Sequence, residues 1–217
     1  MIRLRHNKID LALHTITDGQ GPALLALHGL GECTEHRIPA GIAGWPGPVY
    51  GLDFTGHGES SVPTGGGYTA ELLLADADIA LSHLGSATLV GRGLGAYIAL
   101  LLAGARADRV RGAVLADGPG ISGGPTVPTT QPIVATTAVE TTPDPYALVE
   151  LGRDLRPRSY ATSFARLAIQ GSDLESPITV VARFRPDWLD AVTREPGVID
   201  APTIEAALAN YRPPASR

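Results

Sequence analysis

Thr88-Leu89-Val90-Gly91-Arg92-Gly93-Leu94-Gly95-Ala96-Tyr97-Ile98-Ala99-Leu100-Leu101-Leu102-Ala103-Gly104 passes from an apolar strand pattern, through three closely spaced glycines, into an apolar helix pattern. Read as strand, sharp turn and helix, it is an elbow in which small flanking residues let one residue project above a sheet. Where a G-x-S-x-G motif builds such an elbow, the projecting residue is the nucleophile. Here the middle position is Gly93, which has no side chain to attack with. The sequence therefore offers a catalytic scaffold without an attacking group at its centre.

Outward from the elbow, Ala23 to Leu27 is a continuous apolar run, as in a strand buried on both faces of a parallel sheet, and Pro48 to Leu52 and Val110 to Ala116 read as two further buried strand runs. The spacing predicts helices over 70–84, after the N-cap Thr69, and from the elbow to about Arg106. Residues 34–44 read as a short helix or an irregular crossover, and Val62 to Gly67 as a Pro/Gly loop. Alternation of Ile2 and Leu4, then Ile9, Leu11 and Leu13, broken at Asn7-Lys8, predicts a hairpin at a sheet edge. Beyond the third run, helical patterns lie at 145–152 and 159–170, a strand at 177–182, a short helix at 187–194, a short strand at Val198-Ile199 and a closing helix at 202–211. Residues 118–145 are dense in Gly, Pro and Thr and hold little core, the composition of a lid or loop over the sheet's carboxyl edge. The alternation predicts an α/β fold, a mostly parallel central sheet flanked by helices, built as one domain over 1–217.

Seventeen Lys+Arg against 22 Asp+Glu, spread along the chain, exclude the basic footprint of a nucleic-acid or anionic-membrane binder. The single cysteine, Cys33, excludes an internal disulfide and fits a reducing compartment. Met1 to Lys8 carries charges with no apolar core of signal-peptide length behind it, and no run is long enough to span a bilayer. The expectation is a soluble cytoplasmic protein with no nucleic-acid or membrane partner.

Three stretches in order resemble the α/β-hydrolase fold over roughly residues 20–120. They are His28-Gly29 after the first buried strand, Asp53-x-x-Gly56-His57-Gly58-x-Ser60 after the second, and the elbow at 91–95. The resemblance implies an active site at the sheet's carboxyl edge and the residue order nucleophile, acid, histidine. It implies that residues 118–172 form the lid region, here reduced, and that 177–211 supply the last strands and closing helix. Gly93 then holds the nucleophile position, and Asp187 is the nearest candidate acid, about one residue out of register. A histidine is implied near Asp200-Ala201-Pro202, yet all six histidines (6, 14, 28, 36, 57 and 83) precede residue 84. The implied oxyanion donors are the backbone N–H groups of Leu30 and Leu94, which need no particular side chain.

Other residues invite chemistry and have simpler readings. His28 and His57 read as loop-shaping residues. Cys33 is a candidate nucleophile if its pKa is lowered, and otherwise a small apolar group. Asp117 ends a strand at the carboxyl edge, so it is either a carboxylate facing the site or a turn residue before Gly118-Pro119. Arg92, Arg183 and Arg185 are candidate anion contacts or solvated ion pairs. Glu32, Glu35 and His36 have no matching ligand spacing elsewhere, so no metal is expected. Gly91-x-Gly93-x-x-Ala96 also fits a dinucleotide fingerprint with Asp117 as its acid, but that fingerprint opens a first βαβ unit and here three strands precede it. The sequence thus points to an α/β-hydrolase-fold protein without a Ser-His-Asp triad, with no cofactor. Its expected ligand is a small, apolar molecule contacted by His28, Leu30, Arg92 and Leu94. The alternatives are a hydrolase or cofactor-free lyase using an unorthodox group, a dinucleotide binder, or a pure interaction module.

Overall fold

A computed structural model describes residues 1–35, 38–125 and 141–212. Its eight strands are β1 (Ile2–His6), β2 (Ile9–Thr17), β3 (Ala23–Leu27), β4 (Val49–Asp53), β5 (Ala87–Arg92), β6 (Val110–Ala116), β7 (Ile178–Val180) and β8 (Val198–Asp200). They form one sheet in the order β1-β2-β4-β3-β5-β6-β7-β8. The β1–β2 and β2–β4 pairings are antiparallel and the rest are parallel. The helices are α1 (Ala70–Leu84), α2 (Leu94–Ala105), α3 (Pro145–Arg153), α4 (Arg158–Gly171), α5 (Asp187–Val192) and α6 (Ile204–Ala209).

Strand periodicity divides the core. Leu25, Leu27, Leu89 and Leu115 point to the face covered by α1, α2 and α4, whereas Leu24, Val90 and Val114 point to the other face, against Trp45, Leu208 and Tyr211. Caps set the helix starts: Thr69 Oγ1 accepts from the Leu72 N–H at 3.2 Å, and Thr203 Oγ1 from the Ala206 N–H at 3.1 Å. That second cap is why the closing helix begins at Ile204 and not at Pro202. The predicted strand at 177–182 is shortened to Ile178–Val180, because the chain beyond Ala182 is drawn aside by bonds to Asp117. The 34–44 crossover contains one three-residue 3-10 turn, Ala40–Ile42, while His36 and Arg37 lie outside the described residues. Residues 126–140 of the Gly/Pro/Thr-rich segment also lie outside them. No helix among the described residues is long and apolar enough to cross a membrane.

The end of β4 is tied down by Asp53. Its Oδ2 accepts from His14 Nε2 at 2.9 Å and from the Glu59 N–H at 2.8 Å, and its Oδ1 from the Thr34 N–H at 2.7 Å. One buried carboxylate therefore joins β2, the 32–35 loop and the 53–60 turn. Burial pushes the Asp53 carboxyl up, but the Glu59 and Thr34 amides and the His14 ring outweigh it and hold the group below its ordinary value. A carboxylate lowered in the folded state stabilises the fold above its unfolded pKa, and that stability is lost as pH falls through the lowered folded value. We expect Asp53→Asn to cost about 3 kcal/mol at pH 7. We also expect it to flatten the loss of stability below about pH 4, both read by urea denaturation across pH. An unchanged profile would remove Asp53 from this role.

Candidate functional site

The elbow forms as the sequence predicts, with Gly93 as the N-cap of α2 at φ +59° and ψ −119°. Its N–H donates to the Ala116 carbonyl at 3.0 Å, continuing the β5–β6 ladder into the turn. Positive φ already favours glycine here, and contact reinforces it: a Cβ at this position would stand 2.1 Å from the Pro119 carbonyl oxygen.

The resemblance would have a reactant's oxygen held where that carbonyl oxygen stands. The Leu94 N–H donates to it at 2.9 Å and the Leu30 N–H at 3.0 Å. Both donors implied by the resemblance thus converge, but on a carbonyl of the chain itself. The segment carrying Pro119 is fixed from below by a residue that sequence reasoning missed. Arg156, buried, sends Nη1 to the Ile121 carbonyl at 2.6 Å and to the Gly120 carbonyl, with its guanidinium 4.8 Å over the Tyr97 ring. Trp188 Nε1 donates to the same Ile121 carbonyl at 2.8 Å. Burial lowers the Arg156 pKa to about 10, so it is still a cation at neutral pH. Nothing in Leu155-Arg156-Pro157 signals this role, because its partners are backbone carbonyls 35 and 36 positions away.

His28 and His57 spend both ring nitrogens on backbone. His28 Nε2 accepts from the Phe54 N–H at 3.1 Å, which places its proton on Nδ1, donating to the Gly29 carbonyl at 2.8 Å. His57 Nε2 accepts from the Gly31 N–H at 3.2 Å, with Nδ1 toward the Thr55 carbonyl at 3.1 Å. Burial, then the neighbouring His57, lowers His28 to about 4, and burial likewise lowers His57. Both rings are neutral spacers for the 28–31 and 54–57 turns.

The candidate carboxylates are also engaged. Asp117 accepts from the Arg183 and Phe184 N–H groups at 2.6 and 3.1 Å, so it anchors the loop after β7. Asp187 is exposed and paired with Arg158 at 2.8 Å. Asp200 pairs with Arg185 at 2.5 Å. Arg92, the residue before Gly93, is bound bidentately by Glu32 at 2.8 to 3.2 Å, and Glu32 Oε2 also accepts from the Gly29 N–H at 3.0 Å. The exposed Cys33 thiol is pushed up by partial desolvation and by the Asp53, Glu35 and Glu32 carboxylates, the opposite of an activated thiolate. The structure therefore gathers Gly93, Leu30, Leu94, Glu32 and Arg92 around the elbow and leaves Asp187 on the surface. Among the described residues no three His, Cys, Asp or Glu side chains converge as metal ligands. The α2 N-terminal amide that a dinucleotide pyrophosphate would need is the one already bonded to Pro119.

The family model described as the alpha/beta hydrolase fold matches residues 22–143, more than half of the chain. The chain belongs to the α/β-hydrolase fold family. Among solved structures it is similar to the thioesterase domain from the curacin biosynthetic pathway, at TM-score 0.66 and 16% identity over 92% of this chain and 90% of that one. It is also similar to Est1E from Butyrivibrio proteoclasticus, solved with ferulic acid bound, at TM-score 0.56 and 12% identity over 83% and 77%. Against the enol-lactonase from Burkholderia xenovorans LB400 it reaches 24% identity and TM-score 0.45, covering 53% of this chain and under half, 46%, of that one. The likenesses to the thioesterase domain and to Est1E concern the fold alone. No curated protein sequence matches the chain.

A side chain at position 93 must displace Pro119. We expect Gly93→Ala to lower stability by about 3 kcal/mol, combining left-handed strain with loss of the two bonds onto Pro119. Hydrogen exchange should show the Leu30 and Leu94 amides losing protection. Unchanged melting together with unchanged exchange would mean that the Pro119 contact is not formed in solution.

Proposed function

We propose that this chain is a non-hydrolytic member of its family, a protein that binds a small, largely apolar molecule and does not cleave it. The single observation that carries this reading is the Pro119 carbonyl held by the Leu30 and Leu94 N–H groups, directly over Gly93. Acyl transfer requires an attacking group, a base and free donors for the oxyanion. At this elbow the attacking group has no side chain, the donors are bonded internally, and the two nearest histidines are neutral and tied to backbone.

The alternative of an unorthodox catalyst loses support from the same geometry. The Asp117 carboxylate is spent on two amides, and the Cys33 thiol is disfavoured as a thiolate. We also read the chain as one domain over 1–217, with residues 118–172 as a reduced lid whose Gly118-Pro119-Gly120 part has folded inward onto the elbow. A lone cysteine and no basic footprint support a reducing, cytoplasmic setting without nucleic-acid partners.

Hydrolysis of a panel of short-chain p-nitrophenyl esters tests the reading. The wild-type chain is expected to stay at background. Gly93→Ser is expected to stay far below an efficient esterase, since no base stands ready to take its proton. Wild-type turnover above background that survives Cys33→Ala and disappears in Asp117→Ala would overturn it.

A further inference from the structure

Four of the parallel connections in the sheet carry full helices: α1 between β4 and β5, α2 between β5 and β6, α3 and α4 between β6 and β7, and α5 between β7 and β8. The β3–β4 connection, among the described residues, carries only the 3-10 turn Ala40–Ile42. A parallel sheet needs cover on both faces. The shortfall is visible at Ala26, which lies inside β3 with β4 and β5 bonded on either side and yet remains partly exposed. Its neighbours Leu25 and Leu27, which point to the helix-covered face, are buried. The space left over Ala26 is a cavity of about 570 Å³, walled by Ile16, Ala26, Ile42, Val90 and Ile204, with Glu32, Cys33, Glu35 and Arg92 also in its lining.

We infer that this cavity, and not the space above Gly93, is the ligand site, and that it takes one compact, neutral, apolar molecule. The inference rests on the proposed non-hydrolytic binding role. Three observations carry it. The volume falls within the roughly 300–1,000 Å³ of small-molecule pockets. It is a concave recess, whereas a stable protein partner would need about 800 Å² of matched surface on this face. Of the charged groups that line it, Arg92 is bidentate on Glu32, Glu32 holds the Gly29 N–H as well, and Glu35 adds a second carboxylate whose field acts on Arg92. A ligand carboxylate would face both carboxylates and would have to break the Arg92–Glu32 pair, and a ligand cation would be set against Arg92, so a neutral molecule is the one admitted without loss. His28 lines the same wall and, with both nitrogens on backbone, offers no polar atom to it.

The 28–35 loop lies between this cavity and the Pro119 carbonyl, with the Arg92–Glu32 pair bordering both. Leu30 turns its N–H to Pro119 on one side while Glu32 and Cys33 border the cavity on the other. Cys33, the only cysteine, is therefore a built-in reporter. The probe is N-phenyl-1-naphthylamine, neutral and fluorescent in apolar surroundings, with the anionic 1-anilinonaphthalene-8-sulfonate as its charged counterpart. We expect saturable binding of the neutral dye with one site per chain. At about ten times its dissociation constant the neutral dye should slow N-ethylmaleimide alkylation of Cys33 roughly tenfold in the unaltered protein, read by intact mass. The cavity-filling variants Ala26→Met and Ile16→Trp should each weaken the dye at least about tenfold. The anionic dye should bind more weakly than the neutral one. Saturable dye binding that neither protects Cys33 nor responds to either variant would overturn the location and leave the binding role standing. Tighter binding of the anionic dye would overturn the neutral class. No binding of either dye would overturn both this site and the apolar-binding role, while the ester assay would still decide hydrolysis separately. The alkylation measurement needs no variant, so misfolding of a filled cavity leaves the test intact.

Discussion

Two hydrogen bonds, from the Leu30 and Leu94 amides to the Pro119 carbonyl, set the terms for the rest of the carboxyl edge. A buried N–H must find an acceptor, and leaving one unmade costs about 1–3 kcal/mol. An elbow that aims two such donors at one point therefore has to be completed, by a ligand, by water or by the chain. Here the chain completes it. Several features follow. Position 93 has no room for a Cβ, and Gly29 and Gly118 lie against Pro119 and Arg92 at distances a side chain would not permit. Arg156 and Trp188 gather the carbonyls of residues 120 and 121, which fixes the direction from which Pro119 arrives. The buried cation holds backbone in place at a distance from the elbow, and its Nε and Nη2 have no hydrogen-bond partner among the described residues.

The second constraint is the Asp-x-x-Gly-His-Gly-x-Ser stretch, whose Asp53, His57 and Ser60 side chains bond to backbone, with Asp53 also taking the His14 ring. Asp53 gathers three elements, and Ser60 Oγ accepts from the Ala12 N–H at 2.9 Å and donates to the Asp53 carbonyl at 2.5 Å. Asp76 of α1 takes the Thr55 N–H at 2.9 Å and lies 2.7 Å from His6 on β1. Burial raises the Asp76 carboxyl despite those partners, so its place in the fold rests on geometry more than on charge. These residues carry the family resemblance, and their work is architectural. That explains how the resemblance stays legible in a chain whose elbow has glycine at its centre.

What the sequence disclosed follows the same division. Apolar runs announced β3, β4, β5 and β6, because strands buried on both faces leave no polar alternation to blur them. Gly91, Gly93 and Gly95 announced the elbow, because close backbone approach permits little else. The acceptor that the Leu30 and Leu94 amides share was not legible. It is a backbone carbonyl, and a carbonyl is the same in every residue, so Pro119 carries no mark of its partner. Asp117 was legible as a strand-end carboxylate, but its partners are the amides of residues 183 and 184, and this decides between its two readings through tertiary contact alone. Asp187 fell near the family's acid in sequence and on the surface in space, paired with Arg158. A register argument cannot see which way a short helix turns its first residue.

The elbow and the β3–β5 face are two sides of one loop, and their contrast has a common cause. Residues 28–35 leave the strand with one amide committed to Pro119 and another, that of Thr34, committed to Asp53. Glu32 is held at the same time by Arg92 and the Gly29 amide. A segment pinned at so many points has little freedom to begin a helix, and its described continuation forms only the turn at Ala40–Ile42. The loop thus has its Leu30 amide on Pro119 at the edge over Gly93, and beyond it the opposite face of β3 is thinly covered at Ala26. In a sheet that must bury both faces, the recess near this loop lies, among the described residues, on the β3 face, and small-molecule sites are concave and mostly apolar.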